Sequence, residues 1–218
     1  MPTIDPAKSH LVEAARYALL RRLVPSISHN LTGALQPVNM MAAILEKRIK
    51  TPSPDLALLA KSSTSLTTLS DEAIGSCLDL MTWLTPKNLQ QISIHAGIND
   101  AIGVMKTELS FRDISMANEA IGVSEEIPQR IFRNVFLASL IALTDAAPSP
   151  GRVVITARVT GDEIVLTINL TAVEGANTQG QFQAYREIGW DDVQLLAEAE
   201  GVSCEHKPNQ VAIRYRVV

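Results

Sequence analysis

The sequence predicts an α+β chain, an N-terminal antiparallel helical hairpin followed by a C-terminal α/β sandwich. Two observations carry that class. Apolar residues recur at steps of three and four from about residue 7 to residue 84, the spacing of one helix face. After Pro86 the period changes, and short alternating segments take turns with helical ones in the order β-α-β-α-β-β-α-β. That order puts helices on one face of a mixed sheet. The expected domains are therefore 1–86 and 87–218.

The first helix carries Leu20, Leu23, Ile27, Leu31, Leu35, Val38 and Leu45 at helical steps. The stretch KTPSPDL, residues 50–56, ends it. Its prolines lack the amide proton a helix needs, and Ser53 or Asp55 offers a cap for a new helix. The second helix reads Leu56, Leu59, Ser63, Leu66, Ser70, Ala73, Cys77, Leu80, Leu84. That strict alternation is a coiled-coil seam, small and polar at its centre. Two helices of about 35 residues have one seam and too little core. The hairpin is expected to pair with a second copy as a four-helix bundle, or else to dock on the chain's own C-terminal half.

In the second domain QQISIHA alternates as a strand and GINDAIGVMKTELSFRD is an amphipathic helix. ISMANEAI is again a strand, and PQRIFRNVFLASLIALTDAA is a long helix opening at Pro128, which suits a first turn. RVVITARVTGDEIVLTINL reads as two strands around a Thr-Gly-Asp turn. WDDVQLLAEAEG is a short helix ended by Gly201. VSCEHKPNQVAIRYRVV is expected to close the chain as one strand.

Composition narrows the function classes. The 218 residues are 46% hydrophobic with a formal charge of −4. No Lys/Arg stripe marks any element, so no nucleic acid is expected. Cys77 and Cys204 lie far apart and fit no metal spacing; a reducing compartment with buried or free thiols is the simplest reading. There is no secretory signal pattern and no run of about 18 apolar residues. No membrane span and a cytoplasmic location are expected. No Gly-x-Ser-x-Gly elbow, Cys/His pair or metal cluster is visible, and His10, His95 and His206 read as ordinary surface residues.

SHNLTGALQP, residues 28–37, is different. It places a histidine inside the first helix, with Gly33 four residues on and Pro37 four beyond that. Arg22, Pro25, Ser26, Thr32, Gly33 and Gln36 lie three, four or seven residues from His29 and are its helical neighbours. All are polar or small, so His29 is expected to face solvent. Gly33 leaves room for a partner's close approach, and Pro37 predicts a kink below the histidine.

With that element order, SHNLTGALQP resembles the H-box of bacterial histidine kinases, commonly Ser-His-Glu-Leu-Arg-Thr-Pro-Leu. The C-terminal half resembles their ATP-binding domain, a GHKL ATPase-like α/β sandwich. The resemblance covers about residues 10–218, and it breaks at the nucleotide motifs. The family's magnesium-binding asparagines fall near Ala138 and Ala142, which offer a hard cation no oxygen; Asn134 lies one turn earlier. The stretch TAVEGANTQG has no Asp-x-Gly. At the phosphate loop Gly189 remains, but Trp190, Asp191 and Asp192 follow, and carboxylates at a helix N-terminus repel phosphate. In the H-box Asn30 stands where kinases carry an acid and is no base. Gly33 stands at the phosphatase position, one residue past Thr32.

What the resemblance still implies is the histidine. A receiver's aspartyl phosphate is already activated, and the receiver brings its own magnesium and lysine. An exposed imidazole needs no dedicated base to accept the group. This resembles the dimeric ChpT-like histidine phosphotransferases, which shuttle phosphoryl groups between response-regulator receiver domains in a phosphorelay. It implies His29 as phosphoacceptor. Asn30 and Thr32 are implied as polar neighbours, Arg22 as a positive charge toward a partner, and Ser26, Gly33 and Gln36 as a docking groove that Met40 borders. No cofactor is implied beyond the magnesium of the partner receiver. The implied partners are receivers, an upstream hybrid histidine kinase and a second copy of the chain. The alternatives are a pseudo-kinase module that binds a receiver or kinase without chemistry, and a divergent active kinase.

Overall fold

The structure, a computed structural model, describes residues 6–84, 90–177 and 187–216. The chain parts into two compact units, Pro25–Thr85 in one and Met1–Val24 with Pro86–Val218 in the other. The expected boundary at residue 86 lies outside the described residues.

The first unit is the hairpin. Helix α1, Pro6–Ile49, runs on through Pro25 and Pro37, and α2 spans Leu56–Leu84. Between them the 50–56 stretch turns the chain. Asp55 caps α2, its Oδ1 accepting from the amides of Ala57 at 2.9 Å and Leu58 at 3.2 Å. The chain folds back on itself, and the Arg48 guanidinium donates to Ser62 Oγ. Ala73 is the sole apolar residue of the unit that is fully buried among those described. The unit has a seam but barely a core.

The second unit is the α/β sandwich. Its elements are β1 Gln91–Ser93, α3 Ile94–Phe111, β2 Ile114–Asn118, β3 Glu126–Pro128, α4 Gln129–Asp145, β4 Ser149–Thr160, β5 Glu163–Asn177, α5 Trp190–Ala199, β6 Ser203–Lys207 and β7 Gln210–Arg216. Five strands form one sheet in the order β2-β4-β5-β7-β6, and β1 pairs with β3 apart from it. β2 and β4 are parallel and the other neighbours antiparallel. Strand alternation sends Val153, Ile155, Ile164, Leu166, Ile168, Val211, Ile213 and Tyr215 inward, all buried. They meet the core face of α4, where Phe132 stacks on Phe136 with ring centroids 4.8 Å apart. Gly97 of α3 lets the helices approach, since a Cβ there would stand 2.8 Å from the Phe132 ring.

The turn between β4 and β5 is the expected tight one, with Gly161 at φ +60°. Gly201, at φ +68°, ends α5 as expected. Two expectations are corrected. VSCEHKPNQVAIRYRVV is not one strand but a second hairpin, β6 and β7, turning at Pro208-Asn209. A short strand β3 also precedes α4.

The first turns of α1 belong to this unit. Val12, Ala15, Ala18, Leu19 and Leu23 are buried, and two ionic groups fasten the segment. In one, Glu200 Oε1 accepts from Arg16 at 2.9 Å, Arg130 at 2.5 Å and Asn134 at 3.0 Å. In the other, Arg22 holds Glu108 with both terminal nitrogens and donates to Asp145 at 3.0 Å. Arg112 also donates to Asp145 at 3.0 Å.

Candidate functional site

His29 sits in the hairpin unit on an uninterrupted helix and is exposed, as are Thr32, Gly33 and Gln36; Asn30 is half-buried. A Cβ at Gly33 would meet nothing within 4 Å. Met40, one turn beyond Gln36, is also exposed. The structure thus brings His29, Thr32, Gly33 and Gln36 onto one open face of α1.

Arg22 and Ser26 do not join them. Arg22 is 3% exposed and Ser26 4%. The expectation that Arg22 offers its charge to a partner gives way to the Glu108 and Asp145 carboxylates that hold it. Burial pulls the guanidinium's pKa down; its hydrogen bond to the Glu108 carboxylate and the charge of Asp145 outweigh it and leave the value raised. Ser26 follows on the same buried edge of α1 and cannot shape a docking groove. Both lie toward the side of the helix that also buries Leu19 and Leu23.

The hairpin has a second face that periodicity alone had not drawn out. On α1 the half-buried positions Asn30, Ala34, Pro37 and Met41 lie on one side, and on α2 Ser62, Leu69 and Ala73 do. Counting about 100° per residue, Leu31, Leu35, Val38, Ala42, Leu45 and Ile49 form a stripe a quarter-turn from the α1 set. Ile74, Leu78 and Met81 do the same on α2. Because the helices run antiparallel, the two quarter-turns fall on the same side of the hairpin. Leu35, Ile49, Ile74, Leu78 and Met81 are 46, 57, 57, 61 and 55% exposed. His29 lies on the opposite side. The missed signal was the four-three spacing of residues 74, 78 and 81 on α2.

In the α/β unit, Ala138 and Ala142 are buried within α4, and Asn134 is occupied by Glu200. At the start of α5, Asp192 Oδ2 accepts from the Gly189 amide at 3.2 Å, so the chain's own carboxylate takes a donor at that helix end. The Trp190 indole stacks on the His206 ring, centroids 4.1 Å apart and planes 1° from parallel; His206 is on the surface, as expected, and packs on the indole. Beside Trp190 a cavity of about 270 Å³ is lined by Arg112, Ala142, Asp145, Ala146, Glu187, Ile188 and Gly189. TAVEGANTQG lies partly outside the described residues. Among those described, no group of three or more His, Cys, Asp or Glu could hold a metal. Cys204 is buried and Cys77 half-buried, both free thiols, and burial raises the Cys204 thiol. Among the described residues no helix is long and apolar enough to cross a membrane.

No family model and no curated protein matches the chain. Among solved structures, the Acinetobacter baumannii histidine kinase AdeS is 15% identical over 83% of this chain and 97% of its own, with a TM-score of 0.47. A bacterial phosphotransferase is 16% identical over 90% of this chain and 94% of its own, with a TM-score of 0.39. The histidine kinase ThkA in complex with the response regulator protein TrrA is 12% identical over 99% of this chain and 67% of that one, with a TM-score of 0.40.

Proposed function

We propose that this chain is a histidine phosphotransferase that relays phosphoryl groups between response-regulator receiver domains without binding ATP. The observation that carries the reading is His29, an exposed imidazole on an open face, with Gly33 leaving space beside it. In the proposed step a ring nitrogen's lone pair forms a P–N bond as the acyl P–O bond of the receiver's aspartyl phosphate breaks. That electron pair leaves on the receiver's carboxylate, and the second ring nitrogen keeps its proton. Transfer onward to another receiver reverses the bonds. The metal that neutralises the moving phosphoryl group comes with the receiver.

Three features support a carrier rather than a kinase. Ala138 and Ala142 stand where magnesium ligands are expected. The Gly189 amide is engaged by Asp192. Asn30 replaces the acid that would take the histidine's proton. A ligand at a hundred times its Kd stabilises by about 2.7 kcal/mol, which for a chain of this size is a rise of roughly 5–11 °C in Tm. With 1 mM Mg-ATP the Tm is expected to stay within about 1 °C of its ligand-free value; a clear rise contradicts the ATP-independent reading.

We further propose that a second copy covers the apolar face of the hairpin, giving a four-helix bundle. The exposed leucines, isoleucines and methionine of that face are support, and so is the near-absence of a core in the hairpin alone. Pairing there leaves both His29 residues outside. Light scattering after size exclusion is expected to give twice the chain mass for the wild type and the single mass for Leu35→Glu/Leu78→Glu. A wild-type monomer would overturn the proposal, and so would an unchanged mass for the variant.

The reading is tested by incubating the protein with a phosphorylated receiver. Label at His29 is the expected result, and binding with no phosphohistidine would favour a non-catalytic module.

A further inference from the structure

The outer face of the sheet, turned away from α3–α5, carries a trough that the phosphohistidine chemistry does not use. One row of cross-strand partners, Thr156–Thr167–Ala212, is small. Two residues along each strand, the next row on that face is Arg158–Val165–Arg214, with Val165 itself 5% exposed. On the other flank Gln210 pairs with Lys207. The result is a concavity of about 700 Å³ with a floor of threonine and alanine methyls and threonine hydroxyls, and cations on both banks. Glu205 closes one end and reaches Arg214 at 3.6 Å. Among the described residues neither Arg158 nor Lys207 has an ion-pair partner. In a chain of net charge −4, this is a local reversal of sign.

We infer that this trough docks an acidic amphipathic helix of a partner protein. The dimensions select a helix. The banks lie four residues apart along the strands, about 13 Å at 3.3 Å per residue, which admits a helix about 10–12 Å across. Arg158 and Arg214 stand two strands apart, roughly 10 Å, which matches carboxylates at i and i+7 of a helix, about 10.5 Å at 1.5 Å per residue. A small apolar stripe between the acids would rest on Thr156, Thr167 and Ala212. Charge complementarity would set orientation and on-rate more than affinity.

The test uses the full chain and a labelled synthetic helix of alanine and leucine with glutamates at i, i+7 and the opposite flank. Its control carries lysine at the same positions. Fluorescence anisotropy at low salt is expected to show the acidic peptide binding the wild type, and binding Arg158→Glu/Lys207→Glu at least about tenfold more weakly. Both substitutions are on the exposed sheet face, and an unchanged Tm verifies the fold. The inference is overturned if the acidic peptide fails to bind at millimolar concentration. It is overturned equally if both peptides bind alike, or if the variant binds as well as the wild type. Single-stranded DNA competing as well as the acidic peptide would replace a helix-specific site with a general polyanion surface.

Discussion

Arg22→Ala is expected to destabilise the protein by about 3–5 kcal/mol, the cost of leaving a buried charge without its partner. Arg22 is the bridge of its group, holding Glu108 on α3 and Asp145 at the end of α4 from a position on α1. Glu108 is 8% exposed, and it would lose both hydrogen bonds to the guanidinium. Asp145 would keep Arg112. The double variant Arg22→Met/Glu108→Leu is expected to recover much of the loss, because a buried ion pair exchanged for well-packed apolar groups is often neutral. Chemical denaturation of the wild type, Arg22→Met, Glu108→Leu and the double variant gives the coupling energy directly. Additive losses would mean that the two side chains do not depend on each other. The consequence for the proposed function is local: the same helix carries His29 seven residues further on, so loosening its first turns should also lower labelling at His29.

His29→Ala is expected to abolish phosphoryl acceptance while leaving stability within about 0.5 kcal/mol, the usual range for an exposed side chain. The contrast with Arg22 separates chemistry from architecture on one helix. Retained circular dichroism and melting with complete loss of label is the expected pair of results. Label persisting in His29→Ala would assign the acceptor elsewhere. Thr32 and Gln36 are exposed on the same face, and their alanine variants should slow transfer without abolishing it, because neither bears the phosphoryl group.

Much of this was legible in the sequence where the signal is local. Gly161-Asp162 and Gly201 mark their turns because positive φ favours glycine. The break at residues 50–56 shows because proline cannot donate to the helix. The exposed setting of His29 is shared by its neighbours Pro25, Thr32, Gly33 and Gln36, though not by Arg22 and Ser26. The β6–β7 hairpin was hidden because β6 buries only Cys204, so SCEHK shows no alternation against the strongly alternating QVAIRYR. Strand β3 has three residues, too few for a period. The burial of Arg22 had no local signal at all, since its carboxylates lie 86 and 123 residues away. A helical wheel placed it beside His29 and could not show what would come to meet it. Likewise the division of α1 after Val24 depends on packing against distant elements, and the helix period passes through it unchanged.

The central claim is that His29 carries a phosphoryl group between receivers with no contribution from ATP. The most direct measurement gives the purified chain a phosphorylated receiver with nucleotide removed, follows label into the chain, locates it by mass spectrometry, and then adds a second, unphosphorylated receiver. Phosphate on His29 and its passage to the second receiver are the expected result. A chain that takes no label from any receiver of a full panel, or takes label only when Mg-ATP is supplied, would contradict it.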